Sequence, residues 1–251
     1  MVRLVPSVQP SRRRATLRRS IHLFGEFRHE QTDPARFYSA LAKDSAEHVA
    51  QFVDLREKTL LDVGGGPGYF RDAFRAAGAQ YFALDADVGE LAGAGDIAQG
   101  TVVGSGMELP FRDECLDVCY SSNVLEHVNQ PWRMADEMLR VTKPGGIVFL
   151  SWTLWYGPWG GHETAPWHFL GGRYARRRYA AKHGHEPKNK FGESLFACTA
   201  GAGLRWARRQ SSGEVVAVLP RYNPWWTYWL LRVPILREVV TWNLVIVLRK
   251  K

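Results

Sequence analysis

The chain has 251 residues, a length that suits one sizeable α/β domain, and 45% of them are apolar. Its 33 lysines and arginines outnumber 25 aspartates and glutamates, and the resulting net charge of +8 leaves an anionic membrane surface or nucleic acid open as a partner. The sequence contains no run of about 18 apolar residues, which excludes a membrane-spanning helix. The three cysteines lack the spacing of metal ligands, which excludes a cysteine-based metal site.

The N-terminal segment is rich in arginine. We expect residues 1–20 to form a basic tail and residues 21–251 to form a single domain. The segment lacks the apolar stretch of a secretion signal. Cys115 and Cys119 lie in or beside a predicted buried strand, where free thiols are usual. These features predict a cytoplasmic protein. Arginine clusters within residues 3–19, 173–178 and 205–209 allow peripheral contact with the inner face of the plasma membrane, with an ordinary solvated surface as the alternative.

The first predicted helix begins near Asp33 and Pro34, which suit the N-cap and the first helical position. Helical spacing then places Phe37, Tyr38 and Leu41 on one side.

A glycine-rich loop follows the first predicted strand, Thr59 to Val63, and precedes a helix predicted over residues 69–77. Glycine occupies positions 64, 65, 66 and 68. A strand that ends in such a turn and starts a helix presents backbone N–H groups where no side chain blocks a ligand. Asp85 ends the next apolar run, where a carboxylate can accept the hydroxyls of a ribose. The pattern predicts a nucleotide site, with an ordinary tight turn as the alternative.

The loop does not fit the two commonest nucleotide motifs. Tyr69 stands where the dinucleotide fingerprint has its third glycine, and the lysine-containing phosphate loop is absent from the sequence. The loop alone therefore leaves the nucleotide undefined.

Further segments follow in a fixed order. A loop over residues 103–113 leads to a strand predicted over Leu116 to Tyr120, and then to the segment 121–128. A helix with Pro131 in its first turn comes next. A turn at residues 143–146 leads into a strand predicted over Ile147 to Trp152.

Together with Asp62, this order of segments over about residues 59–152 resembles class I S-adenosylmethionine (SAM) methyltransferases of the methyltransferase type 11-like group. The resemblance implies an α/β fold with a Rossmann-like, seven-stranded sheet and helices on both faces. It also implies SAM as the cofactor and S-adenosylhomocysteine as the product.

The resemblance further implies which residues hold SAM. Asp62 and the loop backbone hold its methionine part and ribose. Asp85, at the end of the second strand, takes the ribose hydroxyls. The turn at residues 105–107 flanks the adenine. The end of the fourth strand lines the pocket, and the first helix closes it. The residues are Tyr38, Asp62, Gly64, Gly65, Gly66, Gly68, Asp85, Ala86, Ser105, Gly106, Met107, Asn123 and Val124, with Glu30 as an alternative to Tyr38. Packing in the core is the alternative role for Tyr38.

One of these positions departs from the pattern. Related enzymes often carry aspartate at the position of Ser105, where it accepts from the adenine amino group. A neutral serine makes a weaker hydrogen bond than a carboxylate, so adenine recognition is expected to depend more on backbone and on Met107.

Two regions are expected to extend the shared core. Residues 153–200, after the fifth strand, are predicted to cover the pocket as an acceptor-binding lid. Residues 211–242 are predicted as an aromatic insertion between a sixth strand near Leu204 to Arg208 and a last strand over Asn243 to Arg249. The insertion suits a membrane interface, packing on the domain's own core, or a cleft for an acyl chain.

Histidines in and near the lid are the candidates for a general base, since they act near neutral pH. His162, His127 and His168 are the candidates in that order, with Glu163 as an orienting partner. Packing or capping of their own segments is the alternative for each. No metal is expected, because the pairs His162–Glu163 and His183–His185 lack a third ligand and helical spacing.

The whole chain also resembles a group of mycobacterial and corynebacterial methyltransferases associated with cell-envelope biogenesis and trehalose mycolate transport. The stretches that carry this resemblance are residues 13–19, 33–38, 157–162 and 234–237. It implies O-methylation of an envelope glycolipid or another lipid-linked or carbohydrate acceptor at the cytoplasmic membrane face.

Two other functions remain open. An RNA or protein N-methyltransferase would suit the positive charge, although the Asn-Pro-Pro-Tyr type of motif is absent after the fourth strand and nucleic acid is the less favoured partner. A non-catalytic SAM-binding scaffold of an envelope export complex is the third hypothesis. The oligomeric state is not predicted.

Overall fold

One seven-stranded sheet forms the centre of the structure, a computed structural model that describes residues 15–29, 32–89 and 100–251. The strand order is β3-β2-β1-β4-β5-β7-β6. Strands β1 to β5 pair in parallel, and β7 runs antiparallel to both of its neighbours. The strands are β1 Thr59–Val63, β2 Gln80–Asp85, β3 Thr101–Val103, β4 Leu116–Ser122, β5 Thr142–Thr153, β6 Gly213–Pro220 and β7 Asn243–Lys250. The predicted fold class is confirmed.

Helices cover the sheet on both sides. Within the described ranges the helices are α1 Leu17–Phe27, α2 Pro34–Val49, α3 Arg71–Ala76, α4 Pro131–Val141, α5 Gly172–His183, α6 Ala200–Arg209 and α7 Pro234–Val239. Short 3-10 turns are formed by Leu125–His127, His162–Thr164, Trp167–Leu170 and Trp225–Arg232.

The central strands are buried on both faces, as parallel strands covered by helices must be. In β1, Leu60 and Leu61 are both fully buried although their side chains point to opposite faces. They belong to two separate apolar clusters, one on each face of the sheet. Parallel pairing places the carboxyl ends of these strands along one edge of the sheet, where the glycine loop begins.

The predicted start of the first helix near Asp33 is confirmed for α2. The Asp33 carboxylate accepts from the backbone N–H of Arg36 at 3.2 Å, and Pro34 is the first helical residue. The helix predicted over residues 69–77 is shorter, because α3 spans only Arg71–Ala76.

The sixth strand was wrongly predicted near Leu204 to Arg208, since those residues lie in α6. Thr199 caps that helix by accepting from Ala202 N–H at 3.1 Å, and its buried positions repeat with helical spacing. The true sixth strand, Gly213–Pro220, lies inside the range predicted as insertion. The insertion proper therefore covers residues 221–242.

The basic tail predicted over residues 1–20 also needs correction. Residues 1–14 lie outside the described ranges, but Ala15 is buried and α1 begins at Leu17. Arg19 donates to both carboxylate oxygens of Asp44 at 2.6 and 2.7 Å, and to the carbonyl of Arg221 at 2.9 Å. Although burial raises the pKa of Asp44, this pairing with Arg19 lowers it overall. This arginine is part of the fold and is not free to meet a membrane or RNA.

The turn predicted at residues 143–146 is an outward bulge within β5. Thr142 pairs with Leu116 and Ile147 pairs with Val118, so four residues of β5 stand opposite one residue of β4, Asp117. The last strand, predicted over Asn243 to Arg249, extends one residue further.

Candidate active site

The glycine loop leaves β1 at the carboxyl edge of the sheet with left-handed backbone angles. Gly64, Gly66 and Gly68 have φ values of 81°, 48° and 84°, which favour glycine. A Cβ added to Gly64 would lie 2.4 Å from the Val124 side chain, so the loop packs directly on the end of β4. A Cβ on Gly66 or Gly68 would meet no described atom within 4 Å. The inner side of the loop is therefore packed and its outer side is open.

Asp85 is held in place by backbone donors. Its Oδ2 accepts from Gly66 N–H at 3.0 Å, and its Oδ1 accepts from Asp87 N–H at 3.0 Å. The side chain is half-buried, and Ala86 beside it is exposed. This places a carboxylate beside the open side of the loop, as the ribose assignment requires.

Asp62 lies beneath the loop in β1 and is 2% exposed. Tyr81 donates its hydroxyl to Asp62 Oδ2 at 2.8 Å. Burial raises the pKa of Asp62 to about 7, although this hydrogen bond acts in the opposite direction. A Cβ on Gly65 would come within 3.4 Å of the Asp62 carboxyl carbon. Asp62 therefore supports the loop from below.

The turn expected to flank the adenine is internally bonded. Ser105 Oγ accepts from Met107 N–H at 3.2 Å, so the hydroxyl already orders this turn. A Cβ on Gly106 would contact Val63 at 3.0 Å and Met134 at 3.1 Å. Met107 is half-buried and packs on the core.

The end of β4 is fixed by an amide pair. Asn123 adopts φ of 57°, and its Oδ1 accepts from Asn243 Nδ2 at 2.7 Å. Val124 follows and closes on the loop at Gly64. The predicted cofactor residues Asn123 and Val124 therefore lie beside the glycine loop.

Helix α2 reaches the same loop through aromatic stacking. The rings of Tyr38 and Tyr69 lie 4.9 Å apart and are inclined by only 7°. Tyr69 directly follows Gly68, so Tyr38 lies beside the loop. Glu30, the alternative for this role, lies outside the described residues.

A buried arginine that sequence reasoning missed lies near this edge. Arg221 is 1% exposed and donates to Ser151 Oγ and Ser45 Oγ, both at 2.6 Å. It also contacts Ser122 Oγ at 2.5 Å. These bonds tie the start of the insertion to β4, β5 and α2.

Two of the three candidate bases come together. The rings of His127 and His162 lie 5.0 Å apart. His127 Nδ1 faces the carbonyl of Ser194 at 2.7 Å. Burial lowers the pKa of His162 to about 3, and His127 and His168 add to that shift, so His162 is neutral.

Sequence reasoning missed the third member of this group, Glu126. It is 2% exposed, and its Oε1 accepts from the backbone N–H of Thr153 at 2.9 Å. Burial raises its pKa, and His127 opposes that rise. Donor atoms of Glu126, His127 and His162 all lie within 4.8 Å of one another. The expectation that no metal binds was based on the pairs His162–Glu163 and His183–His185, and neither pair includes Glu126.

The other two predicted catalytic residues lie elsewhere. His168 is fully buried, with Nε2 3.3 Å from the carbonyl of Gly157 and the Trp155 ring 5.3 Å away. This is a packing position with no exposed edge. Glu163 is exposed and accepts from Asn189 Nδ2 at 2.9 Å, so its described partner is not a histidine.

The lid and the insertion meet the first helix in one aromatic cluster. Phe27 of α1 lies 5.4 Å from Trp159 and 4.8 Å from Trp242. The two indoles stack at 4.4 Å, and Tyr222 lies 5.1 Å from Trp242. Part of the aromatic content therefore packs on the domain's own core.

The insertion also keeps an exposed side. Its 3-10 turn buries Leu230 and Leu231 against the domain. Three indole side chains on the turn are 42%, 56% and 54% exposed, those of Trp225, Trp226 and Trp229. Within the ranges that the structure describes, no helix has the length and apolar character to cross a membrane.

Comparisons with known proteins agree with this geometry. Residues 61–150 match a family described as a methyltransferase domain. An uncharacterized methyltransferase of Mycobacterium marinum is 52% identical over 246 residues, which cover 94% of this chain and 96% of that protein. A Mycobacterium tuberculosis relative has the same identity and coverage. A solved SAM-dependent methyltransferase from Mesorhizobium loti aligns with a TM-score of 0.56 at 20% identity, over 82% of this chain and 98% of that chain.

Proposed function

The chain belongs to the SAM-dependent methyltransferase family, and from that premise we propose that it O-methylates a cell-envelope glycolipid, or another lipid-linked or carbohydrate acceptor, at the cytoplasmic membrane face. The observation that carries the acceptor class is the exposed indole surface of the insertion. The remaining support comes from the cofactor loop and from the histidines near the end of β4.

The cofactor site fits SAM. The outer side of Gly66 and Gly68 is open, and Asp85 stands beside it with both oxygens oriented by backbone N–H groups. When bound, SAM supplies an electrophilic methyl group on a positively charged sulfur. Methyl transfer is an in-line displacement, so the main task of the protein is to hold the acceptor oxygen in line with that group.

A hydroxyl acceptor also needs to lose its proton. The rings of His127 and His162 lie 5.0 Å apart. His127 belongs to the turn that directly follows Val124, and Val124 packs on Gly64 of the loop that is expected to hold the cofactor. The low pKa of His162 makes it a weak proton acceptor by itself.

The exposed indoles suit a membrane surface. Tryptophan rings are half apolar and half polar, and they concentrate at the level of lipid headgroups. Trp225 donates its backbone N–H to the carbonyl of Ala15 at 2.8 Å, which joins the insertion to α1. That helix exposes Leu17 by 54% and Ile21 by 63%. Exposed apolar side chains on two adjoining segments support contact with a lipid bilayer.

The basic clusters give less support to a nucleic-acid acceptor. Arg176 contacts Glu193 at 2.8 Å and also pairs with Glu186, while Arg178 lies 3.9 Å above the Trp167 ring. Arg19 is paired with Asp44. Arginines engaged in this way present fewer free charges to phosphates.

Sedimentation with anionic lipid vesicles tests the proposed membrane contact. We expect Trp226→Ala combined with Trp229→Ala to lower vesicle binding while S-adenosylhomocysteine binding stays unchanged. Phe82→Ala is the matched control, because Phe82 is 38% exposed but lies on β2, towards the opposite edge of the sheet. Equal vesicle binding by all three proteins would contradict the membrane contact.

Labelled SAM incubated separately with envelope lipid extracts, with RNA and with a protein fraction tests the acceptor. The proposal expects label in an alkali-stable methyl ether of an extracted lipid or carbohydrate. Label in RNA or protein would support the N-methyltransferase alternative. Binding of S-adenosylhomocysteine without any transfer would support the scaffold alternative.

A further inference from the structure

Glu126, His127 and His162 form one group of possible metal ligands. The sequence-based expectation of no metal rested on the pairs His162–Glu163 and His183–His185 and did not include Glu126. Their donor atoms lie within 4.8 Å of one another. Glu126 and His127 belong to the 3-10 turn that follows β4, and His162 begins the 3-10 turn His162–Thr164 that comes after β5. The fold therefore brings together residues that are separated in the chain by the whole of α4 and β5.

Two of the donor atoms in this group are buried without a partner among the described residues. They are Glu126 Oε2 and His162 Nε2. Glu126 is 2% exposed, so its carboxylate is withdrawn from bulk water. A buried polar atom without a hydrogen bond costs free energy, and two such atoms on side chains of one close group indicate a missing shared partner.

The third donor is oriented as a ligand would be. His127 Nδ1 lies 2.7 Å from the carbonyl of Ser194, to which it donates as N–H. That bond leaves Nε2 with the free lone pair. A histidine that donates one ring N–H to a backbone carbonyl and offers the other nitrogen is the usual arrangement at protein metal sites.

The backbone also supports a fixed site. His162 adopts φ of 47°, a left-handed conformation that costs free energy in a residue other than glycine. Glu126 is held by the Thr153 N–H on Oε1, which leaves Oε2 directed elsewhere. The Glu126 carboxylate and the His162 backbone are therefore both held in defined conformations before any ligand arrives.

We propose that Glu126, His127 and His162 bind one divalent metal ion of the Zn²⁺ class. Two imidazole nitrogens and one carboxylate oxygen match the ligands that Zn²⁺ accepts, and three protein ligands leave a coordination position open. The proposal replaces the sequence-based expectation that no metal binds.

The open coordination position of the metal ion could bind the hydroxyl of the acceptor. This step rests on the proposed function. The turn of Glu126 and His127 directly follows Val124, which packs on Gly64 of the cofactor loop. An acceptor hydroxyl bound to the metal would release its proton to water more readily, because the metal charge lowers its pKa. Its oxygen would then bond to the methyl carbon of SAM as the carbon–sulfur bond broke, with that electron pair passing to sulfur.

Titration of the full-length, chelator-treated protein with Zn²⁺ tests the metal site directly. We expect one equivalent to bind, and Co²⁺ in its place to give the visible absorption of a site with nitrogen and oxygen ligands. His162→Asn retains a residue that tolerates left-handed backbone angles, and Glu126→Gln retains the side-chain volume. Each should lower Zn²⁺ affinity by more than the roughly 10- to 100-fold typical of a lost outer ligand partner.

A matched variant separates this site from surface histidines. His183 and His185 are both exposed and their rings lie 6.1 Å apart. His185→Asn should leave Zn²⁺ binding unchanged. Binding that disappears in His185→Asn but persists in His162→Asn would overturn the proposal, as would the absence of stoichiometric binding to the unaltered protein.

Binding of S-adenosylhomocysteine to the chelator-treated protein separates the two proposals. Zn²⁺ binding without cofactor binding would uphold the metal site and contradict methyl transfer. Cofactor binding without Zn²⁺ binding would overturn the metal site and leave the proposed methyl transfer in place.

Discussion

The backbone N–H of Gly66 donates to Asp85 Oδ2 at 3.0 Å, which joins the glycine loop after β1 to the end of β2. The contact fixes both the loop and the carboxylate before a ligand binds. Because a positioned acceptor loses little freedom on binding, this pair supports the ribose contact proposed for Asp85.

Asp85→Ala should weaken cofactor binding. The substitution removes a charge-assisted hydrogen bond worth about 1.5–3 kcal/mol, so the affinity for S-adenosylhomocysteine should fall roughly 10- to 100-fold. Calorimetry provides the measurement. Asp72→Ala is the control, because the Asp72 side chain is 83% exposed and pairs with Arg71. Equal affinities in the two variants would show that Asp85 is wrongly assigned.

Gly64→Ala should destabilise the protein more than Gly145→Ala. Both glycines have left-handed angles, with φ of 81° and 78°. Only the first would place its Cβ 2.4 Å from Val124, whereas the second meets no described atom within 4 Å. Gly145→Ala should therefore cost only the backbone strain of about 1–3 kcal/mol.

Urea unfolding and cofactor titration of both variants measure this difference. Gly64→Ala should lose more stability and also lose S-adenosylhomocysteine affinity, whereas Gly145→Ala should keep that affinity. Matching losses in both properties would contradict the packing of the loop against β4.

Asp62→Asn should change how stability depends on pH. The folded pKa of Asp62 is raised to about 7 from an ordinary value of 3.8. Between these values the folded state holds a proton that the unfolded state has released, so this group lowers stability as pH rises through that window. The penalty is absent below the window and complete above it.

Asp62→Asn is compared with the unaltered protein at each pH, because His162 affects both proteins equally. The lowered pKa of His162 makes stability rise with pH over part of this range, which is opposite to the effect of Asp62. Relative to the unaltered protein, Asp62→Asn should gain more stability at about pH 7.5 than at about pH 4.5, at up to roughly 1.4 kcal/mol per pH unit. Urea unfolding at both pH values measures the gain. A gain that is the same at both would contradict the raised pKa.

Arg19→Gln should destabilise the domain, since it leaves Asp44 in a buried position without its ion-pair partner. Loss of one partner of a buried pair costs about 3–5 kcal/mol, and the lower end applies because both side chains keep some exposure. Arg18→Gln on the exposed side of α1 is the control. Equal melting temperatures in the two variants would instead support the prediction that Arg19 belongs to a tail outside the fold.

Local features of the sequence predicted the cofactor side of the fold well. The run Thr59–Val63, its glycine turn and the cap at Asp33 each depend on neighbouring residues, and each is found where the pattern predicts it. The sixth strand was misplaced because the capped, helically spaced segment from Thr199 was mistaken for a strand. The apolar run within Gly213–Pro220 was then absorbed into the insertion.

The acceptor side could not be predicted in the same way. Glu126 meets His162 only because β4 and β5 are neighbours in the sheet and the segment after β5 returns to the turn that follows β4. Arg221 is buried among serines of three separate elements. Such contacts depend on tertiary packing, which leaves no periodic signal in the chain.

Calorimetric titration of the purified protein with S-adenosylhomocysteine, with NAD as the control, tests the central claim most directly. The site described here predicts micromolar binding of S-adenosylhomocysteine and none of NAD, since Tyr69 replaces the third glycine of the dinucleotide motif. Failure to bind S-adenosylhomocysteine, or tighter binding of NAD, would contradict it.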